Sequence, residues 1–238
     1  MEEREVILNE TKIAFIHLPK TGGRSFQKFL SEHFKRSFIL NNDKFVEYEI
    51  HNWGHFNLVE GHFPYNSINL PRMFQFVTIL RDPVQRTISQ YNHFMRSETS
   101  IQLAKTMREE RWSFRDFISH SEMQVAAWVN NYTVYLSNYD MESDFHTATK
   151  VEEAIYNLAF NFMFVGITEC MDQTIRLFNK KYGCCGDIGI EGKTPEDKKA
   201  NISDEDIEAA KNALIPDITI YEMAKEIFKD ALMKEGIS

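Results

Sequence analysis

The segment FIHLPKTGGRSFQKFL, Phe15 to Leu30, narrows the possible folds more than any other part of the chain. Lys12 to His17 (KIAFIH) is a short apolar run with β-branched residues, the pattern of a buried strand. Beyond the turn, Phe26, Phe29, Leu30 and Phe34 recur at i, i+3, i+4 and i+8, the pattern of a helix with one apolar face. A strand therefore passes into a helix through Pro19-Lys20-Thr21-Gly22-Gly23. Gly22 and Gly23 let the backbone approach a ligand with no Cβ in the way. The first N–H groups of the helix lack intrahelical partners, and with the helix dipole they favour a phosphate or sulfate.

The Walker A loop, G-x-x-x-x-G-K-[ST], would fall on Leu18 to Ser25 (LPKTGGRS). Gly23 and Ser25 fit it. Leu18 replaces the first Gly, Arg24 replaces the Lys, and the available lysine is Lys20, inside the loop. The turn is P-loop-like in shape with altered chemistry. A plain βα turn with a solvated lysine is the simpler alternative.

The same alternation continues along the chain. Short strands are expected at Ser37 to Leu40 and Asn57 to Glu60, and a clearer one at Gln75 to Leu80 (QFVTIL), ended by Arg81-Asp82-Pro83. Pro83 suits the first turn of a helix whose Val84, Ile88, Tyr91 and Met95 share a face. Thr99 to Arg111 is charged and is expected to be exposed. Ser113 with Asp116 forms a capping-box pattern opening a helix to about His120, and another helix is expected over Glu122 to Asn131. Asn138 to Thr149 reads as turn, Val151 to Phe160 as helix and Phe162 to Gly166 as the last strand. A helix after Ile167-Thr168-Glu169 ends near Gly183, a fitting C-cap. Cys184 to Ala200, with Gly186, Gly189, Gly192 and Pro195, reads as a long loop of the kind that is often functional. Ser203 caps a helix to about Leu214, and Ile218, Tyr221, Ala224, Ile227, Phe228 and Leu232 mark a last amphipathic helix.

Strands alternating with helices predict an α/β protein: a three-layer fold like that of P-loop NTPases, with a central, mostly parallel sheet flanked by helices. The 238 residues fit one domain, and 43% hydrophobic residues suffice for its core. Ligands of such sheets bind beyond the carboxyl ends of the strands. HLPKTGGRS, EGHFPY, RDP and GITE would all converge there.

A net charge of −8 argues against nucleic acid as a partner and against a heavily anionic polysaccharide, while leaving room for local basic pockets. Cys170, Cys184 and Cys185 are odd in number and lack metal-ligand spacing, which suits a reducing compartment. The start MEEREVILNE is acidic and polar, and no window reaches the roughly 18 apolar residues of a membrane span. A cytoplasmic protein is expected, with no membrane partner.

Arg81 stands one residue beyond a buried strand, and Ser89 lies two helical turns further on. A guanidinium and a hydroxyl suit a second phosphate, although Arg81 can equally form a local ion pair with Asp82. An apolar strand ending in Asp also has the form of a Walker B element, so Asp82 could hold Mg²⁺ in a kinase; the missing Walker A lysine and the adjacent Arg81 speak against it. His62, in VEGHFPY, is placed to take a proton from an attacking hydroxyl, with His17, His51 and His55 as competitors. No metal-binding spacing accompanies them, and no metal is expected.

Three of these segments resemble one family, the sulfotransferases that use 3′-phosphoadenosine 5′-phosphosulfate (PAPS), most closely the branch of the heparan sulfate 2-O-sulfotransferase and its bacterial relatives. FIHLPKTGGRSF is similar to the family's 5′-phosphosulfate loop, VTILRDPVQRTISQYNHF to its 3′-phosphate strand and helix, and EGHFPY to the loop of the catalytic histidine. VNNYTVYLS, FVGITECMDQTIRLF and DITIYEMAKEIF are also similar to family elements. The resemblance implies that PAPS is the co-substrate and that a hydroxyl of a small molecule or carbohydrate is the acceptor. It implies that Lys20 stabilises the leaving phosphate and that His62 is the general base. It further implies that Lys20, Thr21, Gly22, Gly23, Arg24 and Ser25 cradle the 5′ side, that Arg81 and Ser89 hold the 3′-phosphate, and that the loop of Lys193 and Lys198 closes over the nucleotide. Arg24 stands where the family often has a small polar residue, and YLSNYD lacks a glycine often found after its Leu. The alternatives are a Mg²⁺-dependent P-loop kinase and a non-catalytic nucleotide-binding protein of the same fold.

Overall fold

In the computed structural model, residues 10–40, 53–96, 101–122, 125, 128–138, 147–189 and 200–237 are described. Five strands form one all-parallel sheet in the order β2-β3-β1-β4-β5: β1 Lys12–Ile16, β2 Ser37–Leu40, β3 Leu58–Gly61, β4 Phe74–Leu80 and β5 Phe162–Ile167. β1 is central and buried from Ile13 to Ile16, as expected of a parallel strand covered on both faces. The chain leaves β1 toward β2 on one side and leaves β4 toward β5 on the other. The adjacent strands β1 and β4 therefore flank a topological switch point, where open α/β sheets bind ligands.

Helix α1, Gly23–His33, follows β1 and lays Phe26, Phe29 and Leu30 on the sheet. Its Phe26 meets Phe15 of β1, Phe164 of β5 and Phe178 of helix α7, Met171–Tyr182, at ring-centroid distances of 5.1, 6.3 and 5.1 Å. One aromatic cluster thus joins the sheet to two helices on one face. The i, i+3, i+4 spacing read from the sequence is the spacing that buries.

A second apolar core lies away from the sheet. Helix α2, Pro83–Arg96, contributes Val84, Tyr91 and Phe94; α3, Gln102–Glu109, contributes Ala104 and Met107; α4, Phe114–Ser119, contributes Phe114 and Phe117. Charged Thr99 to Arg111 is expected to be exposed, but within it α3 buries Ala104 and Met107 completely. Two apolar residues three apart are enough to seat a short helix, and the charges around them hid that pattern. The capping box of Ser113 and Asp116 opens α4 as expected.

Helix α5 is Asn131–Leu136 and α6 is Ala148–Phe160, the latter starting three residues earlier than the sequence suggested because Thr147 caps it. Gly183, at φ 69°, ends α7. Helix α8, Asp204–Ala213, is capped by Ser203, and α9, Ile215–Lys234, carries Pro216 in its first turn. Among the described residues no helix is long and apolar enough to cross a membrane.

Candidate active site

The turn after β1 is shaped by backbone conformations that few residues accept. Lys20 has φ 69° and Gly22 has φ 77°, both left-handed, and Gly22 precedes α1 without a capping side chain. In the first turn of α1 the Ser25 N–H donates to the Gly22 carbonyl at 3.2 Å, and the positive end of the helix dipole faces the turn, where it favours an anion. The Thr21 hydroxyl is turned inward, donating to the Leu18 carbonyl at 2.9 Å, so this buried residue offers the site its backbone rather than its side chain. Gly23 is required by a neighbour: a Cβ there would stand 2.1 Å from His17 Cδ2 and 2.2 Å from Nε2. The His17 ring fills the space beneath the helix start. Arg24 is exposed and Ser25 is buried in the first turn.

β3 delivers His62 beside this turn. The register pairs Ile16 with Gly61, and the His17 N–H donates to the Gly61 carbonyl at 2.9 Å. Gly61, at φ 154°, has no room for a Cβ, which would lie 2.4 Å from the Leu40 carbonyl oxygen. His62 Nδ1 hydrogen-bonds the His17 carbonyl oxygen, and its ring sits 4.4 Å from the His17 ring. A carbonyl only accepts, so Nδ1 carries the proton and Nε2 keeps the lone pair of the neutral ring. Burial lowers the His62 pKa, with Lys20 adding to the effect against the opposing hydrogen bond, so the ring rests in its basic form. His17 is pushed further, to about 3, by burial and then by His62, Arg24 and Lys20. It is neutral at all ordinary pH, and its Nε2 edge is packed against Gly23, so it forms the wall of the turn.

β4 ends in the Arg81 turn, and side chains take nearly every backbone group there. Thr168, just past β5, donates to Thr21 O at 2.5 Å and lies 2.9 Å from Leu80 O. Tyr132 accepts from the Arg81 N–H at 2.9 Å and donates to the Arg81 carbonyl. Glu169 accepts from the Asp82 N–H at 3.0 Å, and its other oxygen accepts from Tyr221 at 2.8 Å. The Arg81 guanidinium reaches the Lys20 carbonyl at 3.3 Å. Four strand ends are thereby joined at one edge, as the alternating pattern implied.

The joined edge is strongly cationic. The Lys20 pKa falls to about 8 through burial and then through Arg96, Arg24 and Arg81, and His93 is lowered by burial, Lys20, Arg96 and Arg24. A cluster of cations lowering one another's pKa is what an anion relieves. Arg96 and His93, at the far end of α2, were not singled out in the sequence. Ser89 is half-buried on α2. Asp82 uses Oδ1 to accept from the Gln85 N–H at 2.9 Å in the first turn of α2. Among the described residues no group of three or more His, Cys, Asp or Glu is arranged to hold a metal ion. Lys193 and Lys198, like His51, lie outside the described residues.

Tyr132, Thr168, Glu169, Arg86 and Asp217 shape this edge; Thr168 and Glu169 belong to the GITE turn expected there, whereas Tyr132, Arg86 and Asp217 carry no local signal of that role in the sequence. Asp217 in the first turn of an amphipathic helix looks like an ordinary acid complementing the dipole. Only the fold shows it buried.

A family model described as the sulfotransferase family matches residues 4–230. Among curated proteins none matches the chain.

Proposed function

Since the chain belongs to the sulfotransferase family and is a sulfuryl-transferring enzyme, we propose that it uses PAPS to sulfate a hydroxyl, as the resemblance to the heparan sulfate 2-O branch suggests. In this reading the N–H groups of Thr21 to Arg24, opened by Gly22 and Gly23, and the Ser25 hydroxyl cradle the 5′-phosphosulfate with Lys20 and Arg24. Arg81 and Ser89 hold the 3′-phosphate. The acceptor is a hydroxyl-bearing small molecule or carbohydrate.

The transfer is a single in-line displacement. The acceptor oxygen attacks sulfur as His62 Nε2 takes its proton. The bond from sulfur to the bridging oxygen of the 5′-phosphate breaks, and its electron pair stays on the phosphate, where Lys20 and the helix N–H groups stabilise it. The products are the sulfate ester and 3′,5′-adenosine diphosphate. The charge that develops on the bridging oxygen is met by these fixed donors.

The observation that carries the reading is the His17 carbonyl. It holds His62 by Nδ1, which leaves Nε2 basic, three residues before Lys20. A base and a cation are thus fixed at adjacent strand ends. The test is release of 3′,5′-adenosine diphosphate from PAPS across a panel of hydroxyl acceptors, comparing wild type with His62→Ala. Turnover should fall about 10²–10⁴-fold while nucleotide binding is retained. Unchanged turnover would remove His62 from the chemistry.

A further inference from the structure

Arg81 is oriented by a buried assembly that reaches from the last helix to the phosphate turn. The Tyr132 hydroxyl accepts from the N–H of Arg81 and donates to the carbonyl of the same residue, on either side of one Cα. One side chain therefore restrains both backbone dihedrals of Arg81, and with them the direction in which its Cα–Cβ bond leaves the strand, while the guanidinium itself meets the Lys20 carbonyl at 3.3 Å. Tyr132 is wholly buried and is itself gripped. Its N–H meets both Asp217 oxygens at 3.0 and 3.1 Å, and the Thr133 N–H reaches Oδ1 at 3.4 Å. Asp217, from α9, is fully buried.

A second buried group secures the other side of the same segment. Arg86 is 0% exposed and donates through Nη2 to the carbonyls of Trp128 and Val129, at 2.8 and 2.6 Å. A cation gathers the carbonyls before α5 and a carboxylate gathers the N–H groups that begin it. Buried charges of opposite sign on opposite ends of one short segment leave it little freedom to rotate. Asn130 adds a tie to the Ala213 carbonyl at 3.0 Å, at the junction of α8 and α9. From Asp217 the contacts run through Tyr132 to Arg81 and on to the Lys20 carbonyl.

We infer that Tyr132, held by Asp217 and Arg86, is the positioning residue that aims Arg81 at the 3′-phosphate, so that discrimination for a 3′-phosphorylated nucleotide depends on a hydroxyl that touches no ligand. This rests on the reading of Arg81 given above. Tyr132→Phe removes only the oxygen and keeps the ring in place.

The test is the ratio of dissociation constants for 5′-AMP and 3′,5′-adenosine diphosphate, measured by calorimetry on wild type, Arg81→Ala, Tyr132→Phe and Asp217→Asn. A ratio taken within one protein is insensitive to a general loss of stability. For Tyr132→Phe it should fall about tenfold, the scale of one weakened hydrogen bond to a charged group. Asp217→Asn, which touches neither Arg81 nor the ligand, should fall in the same direction by less, and it serves alone if Tyr132→Phe does not fold. If Arg81→Ala lowers the ratio while Tyr132→Phe and Asp217→Asn leave it at the wild-type value, the positioning role is overturned and the Arg81 assignment stands. If Arg81→Ala itself leaves the ratio unchanged, the assignment of Arg81 fails and the positioning role fails with it.

Discussion

Lys20 sits in a left-handed backbone conformation that costs a lysine energy, and its ammonium is surrounded by other cations. Both features make sense if an anion completes the site. They also set the pH response. The proposed transfer needs Lys20 protonated, to stabilise the leaving phosphate, and its pKa in the free protein is lowered to about 8. It needs His62 neutral, and the His62 pKa is lowered from the ordinary histidine value. A plot of kcat/KM against pH should therefore rise below the ordinary histidine range, reach a plateau near neutrality and fall near pH 8. Lys20→Met should remove the alkaline limb and lower kcat about 10²–10³-fold. A profile that stays flat well above the alkaline limb would remove Lys20 from the mechanism.

At the level of the elements, a small residue sets how α1 meets β1, and a buried acid on β3 costs stability. Gly23→Ala would drive a methyl into the His17 ring. Overpacking of this kind costs about 1–3 kcal/mol, and because the displaced element is the start of α1, nucleotide affinity should fall with stability. Denaturant unfolding and calorimetry on the one variant check both. Glu60, on β3, is 1% exposed, and burial raises its pKa to about 7 against a bond from Gln27 that lowers it. A carboxyl whose pKa is higher folded than unfolded binds more protons when folded, so stability falls as pH rises from about 4.5 to about 7 and is flat beyond. Glu60→Gln removes that penalty without changing shape. It should raise stability at pH 8 by about 1–3 kcal/mol and flatten the pH dependence. A variant no more stable than wild type at pH 8 would show that the carboxylate is better satisfied than its burial implies.

At the scale of the whole molecule, the parallel sheet was legible because its strands are buried on both faces and so stand out as short apolar runs between helices with one apolar face. That Lys20, His62 and Arg81 lie at one edge of the sheet could be read because each follows such a run, where parallel sheets present their ligand edge. The supports of those residues could not be found that way. Tyr132 and Asp217 are 85 residues apart in sequence and act through burial, and Ala104 and Met107 were masked by charged neighbours. His17 lay in plain sight as a candidate base, and only its packing under Gly23 shows it to be a wall. In the proposed reading these strand ends form a site for a 3′-phosphorylated nucleotide. The most direct measurement is thermal unfolding of the metal-free protein with 3′,5′-adenosine diphosphate, set against ATP with Mg²⁺. At 100 times its dissociation constant a ligand adds about 2.7 kcal/mol, or roughly 5–11 °C for a chain of this size. That shift should appear with 3′,5′-adenosine diphosphate alone and be lost in Arg81→Ala; stabilisation by ATP and Mg²⁺ only would overturn the assignment.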